Sequence, residues 1–268
     1  IKGSIMNDAE FKEISEFFYL LADNSKKITL EGFYSNLDPK TKKDGSPVTQ
    51  YDIKAEKIIC DIISKKFPNH NIFAEEISSK AVGSDYTWIV DPIDGTRSYI
   101  VGRPLWGTLI GLAYKGKPLI GLVDFPALNE RWLGYKSNCY YNKSKFVLTK
   151  KSISKLSEAT VGSTDLNLFS EYGKKKYKNL ITKTKYNIWS GDCHNYCLII
   201  TGGLDLVVEE GLSAYDILPL IPILESQGIF VTDWNSNKLN LKEDFQYKYS
   251  TIVSRNNNIY NSAVTLLK

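Results

Sequence analysis

Histidine is nearly absent from this chain: His70 and His194 are the only two among 268 residues. Cysteine is scarce as well. Cys60, Cys139, Cys193 and Cys197 lack the close, regular spacing of a disulfide framework. Cys193 and Cys197 can share a helix face, but a soft-metal site there would need two further soft ligands, and only the two histidines are on offer. The cysteines read as free, mostly buried thiols in a reducing cytoplasm. No apolar run approaches the roughly 20 residues of a membrane span. The most apolar run, 217–224, is short and contains Pro219 and Pro222. No signal-peptide pattern is present. A large excess of one charge is also missing. The formal net charge is +4, too mild to argue for nucleic acid. The densest basic stretch is Lys174-Lys175-Lys176, followed by Lys178, Lys183 and Lys185; it reads as a solvated face. The 17 tyrosines are scattered and read as packing residues. Neither a nucleic-acid partner nor a membrane is expected. The sole methionine is Met6, so residues 1–5 are expected to be a remnant added ahead of the natural start.

What is present is ordinary globular material. The chain is 43% apolar and 24% charged, enough for one large core or two smaller ones. Residues 7–24 carry apolar side chains at helical spacing, with Asn7 and Glu10 as a capping pair. Residues 38–46 read as a loop. Thr49 caps a second helix, with Asp52 at its third position, which Pro68 and Asn69 end. Trp88-Ile89-Val90 reads as a buried strand. Residues 105–114 and 119–125 form a predicted hairpin around Lys115-Gly116-Lys117, continued by strands at 131–135 and 145–149. Further strands are predicted near Thr160 and Ile188, at 204–208 and at 229–234. Helices are predicted at 194–201, 215–226 and 258–267. Hairpins mixed with helices point to a layered α/β or α+β body.

The chemistry concentrates in Asp91-Pro92-Ile93-Asp94-Gly95-Thr96. A carboxylate stands where an apolar strand ends, Pro92 fixes the backbone after it, and Gly95 permits a tight bend beside a second carboxylate. Strand carboxyl ends are where sheet proteins commonly bind ligands. Two carboxylates held this close repel unless a cation or proton lies between them. Oxygen-only ligands point to a hard cation, and magnesium works beside phosphate. Glu75-Glu76 is the preceding acidic pair, and alone it also fits a solvated turn. Asp52 and Asp216 also fit helix caps.

The stretch 91–96 resembles the signature of the inositol monophosphatase superfamily. The likeness extends to Ser46-Pro47-Val48-Thr49-Gln50-Tyr51-Asp52, Ala74-Glu75-Glu76 and Ala214-Tyr215-Asp216, in the family's order over roughly residues 42–234. Ala74 stands where the family often has glycine, and Tyr215 where it often has tryptophan; neither removes a ligand. The resemblance implies a layered α-β-α-β-α sandwich over residues 6–268, as one domain of two tightly packed halves, roughly 6–150 and 151–268. It implies a homodimer and a cluster of two or three magnesium ions held by Glu75, Asp91, Asp94, Asp216 and the Ile93 carbonyl. It also implies that Thr96, paired with Asp52, orients and deprotonates the attacking water, and that the Gly95 and Thr96 amides hold phosphate. Lys42 matches a family lysine near the site, although Lys43 competes for that alignment.

A finer likeness concerns the substrate. Residues 94–99 with Pro104-Leu105-Trp106-Gly107-Thr108, Gly191-Asp192-Cys193 with Tyr196, and residues 215–222 resemble the histidinol-phosphate phosphatase branch. Asp192 and Glu209 fall where that family lines the alcohol end of its substrate. A carboxylate pair there suits a leaving group bearing an ammonium. Glu209 equally suits sugar hydroxyls, and Asp192 also fits a loop or cap. Arg97 fits either a phosphate contact or a surface ion pair. The expected activity is magnesium-dependent hydrolysis of L-histidinol phosphate by metal-activated water, with inositol 1-phosphate second and a non-catalytic phosphate or metal sensor as the rival.

Overall fold

The computed structural model describes residues 6–77, 79–148 and 153–268. The expected added segment 1–5 and Thr149, the expected end of one strand, lie outside the described residues. The first helix, α1 (Asp8–Phe33), opens on a capping box: the Glu10 N–H donates to Asn7 Oδ1 at 2.9 Å, and the Asn7 N–H to Glu10 at 3.0 Å. It runs well past the predicted end near Asn24. Its last turns bury Ser25, Thr29 and Gly32, small or polar residues that carry no apolar period. Ser25 Oγ meets Thr108 Oγ1 at 3.0 Å, and the Tyr99 hydroxyl donates to the Thr29 carbonyl at 2.8 Å. A Cβ at Gly32 would lie 2.1 Å from that hydroxyl, so only glycine lets the helix approach.

The predicted loop at 38–46 overlaps a small antiparallel pair, β1 (Lys40–Thr41) and β2 (Pro47–Val48). Helix α2 (Gln50–Lys66) follows its Thr49 cap as predicted. The first large sheet is sequential: β3 (Asn71–Ala74), β4 (Tyr86–Asp94), then after helix α3 (Thr96–Ile100) β5 (Gly107–Tyr114), β6 (Lys117–Phe125), β7 (Glu130–Tyr135), β8 (Asn138–Tyr141) and β9 (Ser144–Phe146). Only β3 and β4 are parallel. The predicted hairpin is β5–β6. Its turn is tighter than expected, because Lys115 and Gly116 both adopt positive φ and Lys117 already pairs with Tyr114.

The second sheet has the order β11-β10-β12-β14-β13. Its elements are β10 (Thr160–Ser163), α4 (Glu171–Ile181), β11 (Tyr186–Trp189), α5 (Cys193–Thr201), β12 (Leu206–Leu212), α6 (Ala214–Ile217), α7 (Ile221–Glu225), β13 (Phe230–Thr232), β14 (Tyr249–Ser254) and α8 (Asn257–Leu267). The basic run Lys174-Lys175-Lys176 lies on α4. Strand β12 extends beyond the predicted Val208 and so carries Glu209.

Strand alternation distributes the sheets' apolar side chains into three larger cores among the described residues, beside a small fourth cluster of Tyr51, Ile93, Tyr99 and Trp106. On the first sheet, Trp88, Val90, Ile110 and Leu122 face Phe18 and Leu21 of α1 and Ile59 and Ile63 of α2. The opposite face, with Ile89, Leu109 and Val123, packs on α5, α6 and α7, which also cover Val207 and Val253 of the second sheet. Leu206, Val208 and Ile252 pack outward against Leu180 of α4 and Ile259 and Ala263 of α8. The result is the expected α-β-α-β-α sandwich.

One correction places a site residue. The single helix predicted at 215–226 is two short helices, α6 and α7, separated at Pro219. Proline supplies no N–H and clashes with the preceding turn. The break settles into a row of glycines. Gly111, Gly121 and Gly134 are register neighbours on β5, β6 and β7. A Cβ at Gly121 would fall 1.7 Å from the Pro219 carbonyl oxygen, and one at Gly134 would fall 2.3 Å from Ile223 Cα. The sheet therefore accepts this segment's backbone directly, and α6, just ahead of the break, carries Asp216.

Candidate active site

The first two carboxylates owe their convergence to an irregularity at the end of β4. Asp91 pairs with Leu109 of β5, but Asp94 pairs with Gly107, so β4 accommodates an extra residue. Pro92 suits a bulge because it has no N–H to leave unpaired. Its carbonyl accepts the Thr108 hydroxyl at 2.8 Å, and Asp91 Oδ1 accepts the Ile93 N–H at 3.0 Å. Gly95, at φ +83°, turns the chain into α3. Asp216 arrives from α6, where it caps Ser213: the Ser213 N–H donates to its Oδ2 at 2.7 Å. Asp91, Asp94 and Asp216 each place one carboxylate oxygen within 4.8 Å of the others.

Glu75 joins from the neighbouring strand. Parallel β3 ends at Ala74 opposite Val90, so Glu75 follows abreast of Asp91, and its N–H donates to the Val90 carbonyl at 3.3 Å. Burial, then the charges of Glu75, Asp94 and Asp216, drive the Asp91 carboxyl well above its usual range. Burial, then Asp192 and Asp216, do the same to Asp94. Asp216 is pushed up to about 7, mainly by burial and then by Glu75. Buried and half-buried acids that repel one another, presenting oxygen only, fit a hard divalent cation. The Ile93 carbonyl accepts the Thr96 hydroxyl at 3.0 Å and keeps a second lone pair.

Asp52 is both things the sequence allowed. Its Oδ2 accepts from the Thr49 N–H at 2.8 Å and the Thr49 hydroxyl at 2.5 Å, while Oδ1 lies 3.4 Å from Thr96 Oγ1. Asp52 is fully buried, and that burial raises its pKa.

A cavity of about 350 Å³ opens beside these groups, lined by Glu75, Gly95, Thr96, Arg97, Ser98 and Asp192 among others. A smaller recess of about 90 Å³ shares Asp192 with it and is also lined by Asp94, Tyr196, Glu209 and Asp216. Asp192 ends a strained turn: Ser190, Gly191 and Asp192 have φ of +69°, +118° and +45°. Burial lifts its pKa to about 6, against the lowering charges of Arg97 and Arg103. Glu209 is buried and pushed up to about 8; its Oε1 accepts the Thr164 N–H at 3.0 Å and the Thr164 hydroxyl at 2.7 Å. Asp94 Oδ2 accepts the Cys193 N–H at 2.7 Å, tying α5 to the carboxylate cluster.

Two sequence candidates at the site are held in ion pairs. Lys42 does not line the cavity; its ammonium lies 2.8 Å from Glu75 and 2.5 Å from Glu76. Arg97 stands at the rim, ion-paired to Asp165 at 2.5 Å. Sequence reasoning passed over Arg103, Thr164 and Asp165, which loops and short elements bring together without a local pattern. It also passed over Glu56, one turn beyond Asp52 on α2, where shared helix face was an available signal. All four cysteines are free thiols, and no helix among the described residues is long and apolar enough to cross a membrane.

Comparison with known proteins bears on this arrangement. The model of the inositol monophosphatase family matches residues 10–265. The bifunctional phosphatase IMPL2, chloroplastic, of Arabidopsis thaliana is 40% identical over 237 residues, 88% of this chain and 68% of that protein. A histidinol-phosphatase of Chlorobaculum parvum is 34% identical over 211 residues, 78% of this chain and 81% of its own. The solved structure of an inositol monophosphatase from Zymomonas mobilis superposes with a TM-score of 0.84 at 32% identity, covering 96% of this chain and 98% of that one. Because the match runs through both sheets and every acidic residue gathered at the cavity, the chain belongs to the inositol monophosphatase family.

Proposed function

We propose that this phosphatase hydrolyses L-histidinol phosphate to L-histidinol and phosphate, with magnesium bound by Glu75, Asp91, Asp94, Asp216 and the Ile93 carbonyl. Two or three ions suit so many carboxylates. Magnesium, when bound there, neutralises phosphate charge, acidifies water and stabilises a leaving alkoxide. The residues supply the rest. Thr96 Oγ1 turns its hydroxyl proton from the Ile93 carbonyl to Asp52 Oδ1, 3.4 Å away, and gives it up there as it takes a proton from the attacking water. Glu75 borders the same cavity and orients that water. The Gly95 and Thr96 amides, at the start of α3, receive phosphate oxygens, and Arg97 meets the phosphate from the rim.

The observation that carries the substrate is the acid pair Asp192 and Glu209, which lines the recess beside the carboxylate cluster, Glu209 buried and Asp192 half-buried. An ammonium on the leaving group offsets the Asp192 charge where a polyol offsets none. The Chlorobaculum relative's name agrees with this reading. Inositol 1-phosphate is the second reading, because Glu209 also accepts hydroxyl hydrogen bonds. A non-catalytic sensor fits less well, since the full set of acids is present.

The test is phosphate release from histidinol phosphate and from myo-inositol 1-phosphate, side by side, with magnesium and with EDTA. Strong preference for histidinol phosphate, abolished by EDTA, is expected. Preference for inositol phosphate would overturn the substrate, and release from neither would overturn the activity.

A further inference from the structure

We infer that Glu56 is a positioning residue that sets Glu75 for the cation. Glu56 lies on α2 and is fully buried. Its carboxylate faces the turn that follows β3. Oε2 accepts the Glu76 N–H at 2.7 Å, and Oε1 accepts the Ile77 N–H. Two successive amides thus close on the two oxygens of one carboxylate, directly after Glu75. The Glu75 N–H is itself held by the Val90 carbonyl on β4. The backbone around Glu75 is therefore fixed by a sheet bond at Glu75 and by Glu56 at the next two residues.

The arrangement has a second consequence. Asp52 sits one turn earlier on α2 and faces Thr96. The first turns of α2 therefore tie the hydroxyl beside the phosphate site and the turn bearing Glu75 to one rigid element. An anionic acceptor suits this task, because charge-assisted bonds to backbone N–H are shorter and stronger than neutral ones. Glutamine cannot replace it: one oxygen would become an NH₂ group pointing at an N–H donor.

The inference rests on the reading of Glu75 as a metal ligand, and the test separates the two. Magnesium binding to the metal-stripped full chain is measured by isothermal titration calorimetry, without substrate, for the wild type, Glu56→Gln and Glu75→Gln. Partners that orient a metal ligand are typically worth about tenfold to hundredfold in affinity, and Glu56→Gln is expected to lose that much. Its kcat should return toward the wild-type value at high magnesium, with KM for the ester little changed. Wild-type affinity in Glu56→Gln together with weakened binding in Glu75→Gln overturns the role of Glu56 alone. Wild-type affinity in both overturns the metal assignment. A merely structural role would lower the melting temperature of the metal-free protein and leave affinity unchanged. Should Glu56→Gln not fold, Glu56→Asp carries the test; it keeps the charge and withdraws it by one methylene. Weaker binding is expected there too, and unchanged binding overturns the inference.

Discussion

The two walls of the cavity are built by different means. The wall bearing Glu75 is backed by carboxylates on regular structure: Asp91 and Asp94 on one buried strand, Glu75 abreast of it in register, and Asp52 in a helix cap. The opposite wall is made of turns. Ser190-Gly191-Asp192 runs through three positive φ values, and Thr164 and Asp165 lie between β10 and the next turn. Strand register and caps hold atoms to a fraction of an ångström, as a shared cation demands. Turns tolerate substitution, which suits the selective role proposed for that wall. The comparison predicts that damage to the first wall abolishes turnover, while damage to the second changes which ester is turned over.

The largest effect belongs to Asp94→Asn. It removes a charge from the cluster while preserving shape and, through its carbonyl oxygen, the bond from the Cys193 N–H. Loss of several kcal/mol of transition-state stabilisation corresponds to a drop in kcat on the order of a thousandfold. Steady-state kinetics beside a circular-dichroism melt checks it. Substantial turnover in the folded variant would remove Asp94 from the metal site.

Next comes Gly121→Ala, which strikes the support beneath Asp216. The new methyl group would overlap the Pro219 carbonyl oxygen, so the segment behind α6 must shift. Overpacking costs about 1–3 kcal/mol, which lowers the melting temperature of a chain this size by about 2–12 °C. Because α6 carries Asp216, magnesium affinity should fall as well. A variant that melts early yet binds magnesium normally would show that α6 keeps its place without the glycine row.

These two predictions also mark what could be read beforehand. Residues 91–96 were legible because everything that shapes them is local: an apolar strand, a proline and a glycine within a few positions. The Asp216 side chain was legible only as part of a resemblance, because its placement depends on glycines about a hundred residues away on three strands. The far end of α1 was missed because Ser25, Thr29 and Gly32 bury a polar and small face, which hydrophobic periodicity cannot register. The break between α6 and α7 was signalled by Pro219 and Pro222 but read as part of one helix. Thr164 and Asp165 gave no signal, since tertiary contact alone brings them to the cavity.

A smaller and more selective effect is expected from Asp192→Asn. Neutralising it removes one partner of a leaving-group ammonium, a hydrogen bond to a charged group worth about 1.5–3 kcal/mol. KM for histidinol phosphate should rise about tenfold to hundredfold, with kcat and magnesium requirement nearly unchanged. KM for inositol 1-phosphate should barely move, because it has no ammonium to lose. Equal changes for both esters would mean that Asp192 shapes the turn without reading the substrate.

The smallest effect should come from separating Arg97 from Asp165. The Arg97 side chain is 63% exposed, and an ion pair of that kind contributes about 0–1 kcal/mol. Asp165→Asn should therefore leave the melting temperature within a few degrees of the wild type. Its effect on catalysis follows from the phosphate contact proposed for Arg97. If Arg97 leaves Asp165 to meet the phosphate, freeing it in Asp165→Asn lowers KM for both esters, and Arg97→Ala raises KM for both. If the pair is only a surface contact, neither variant changes KM. Because phosphate is common to every ester this family hydrolyses, a shift confined to one of them would place Arg97 with the selective wall instead.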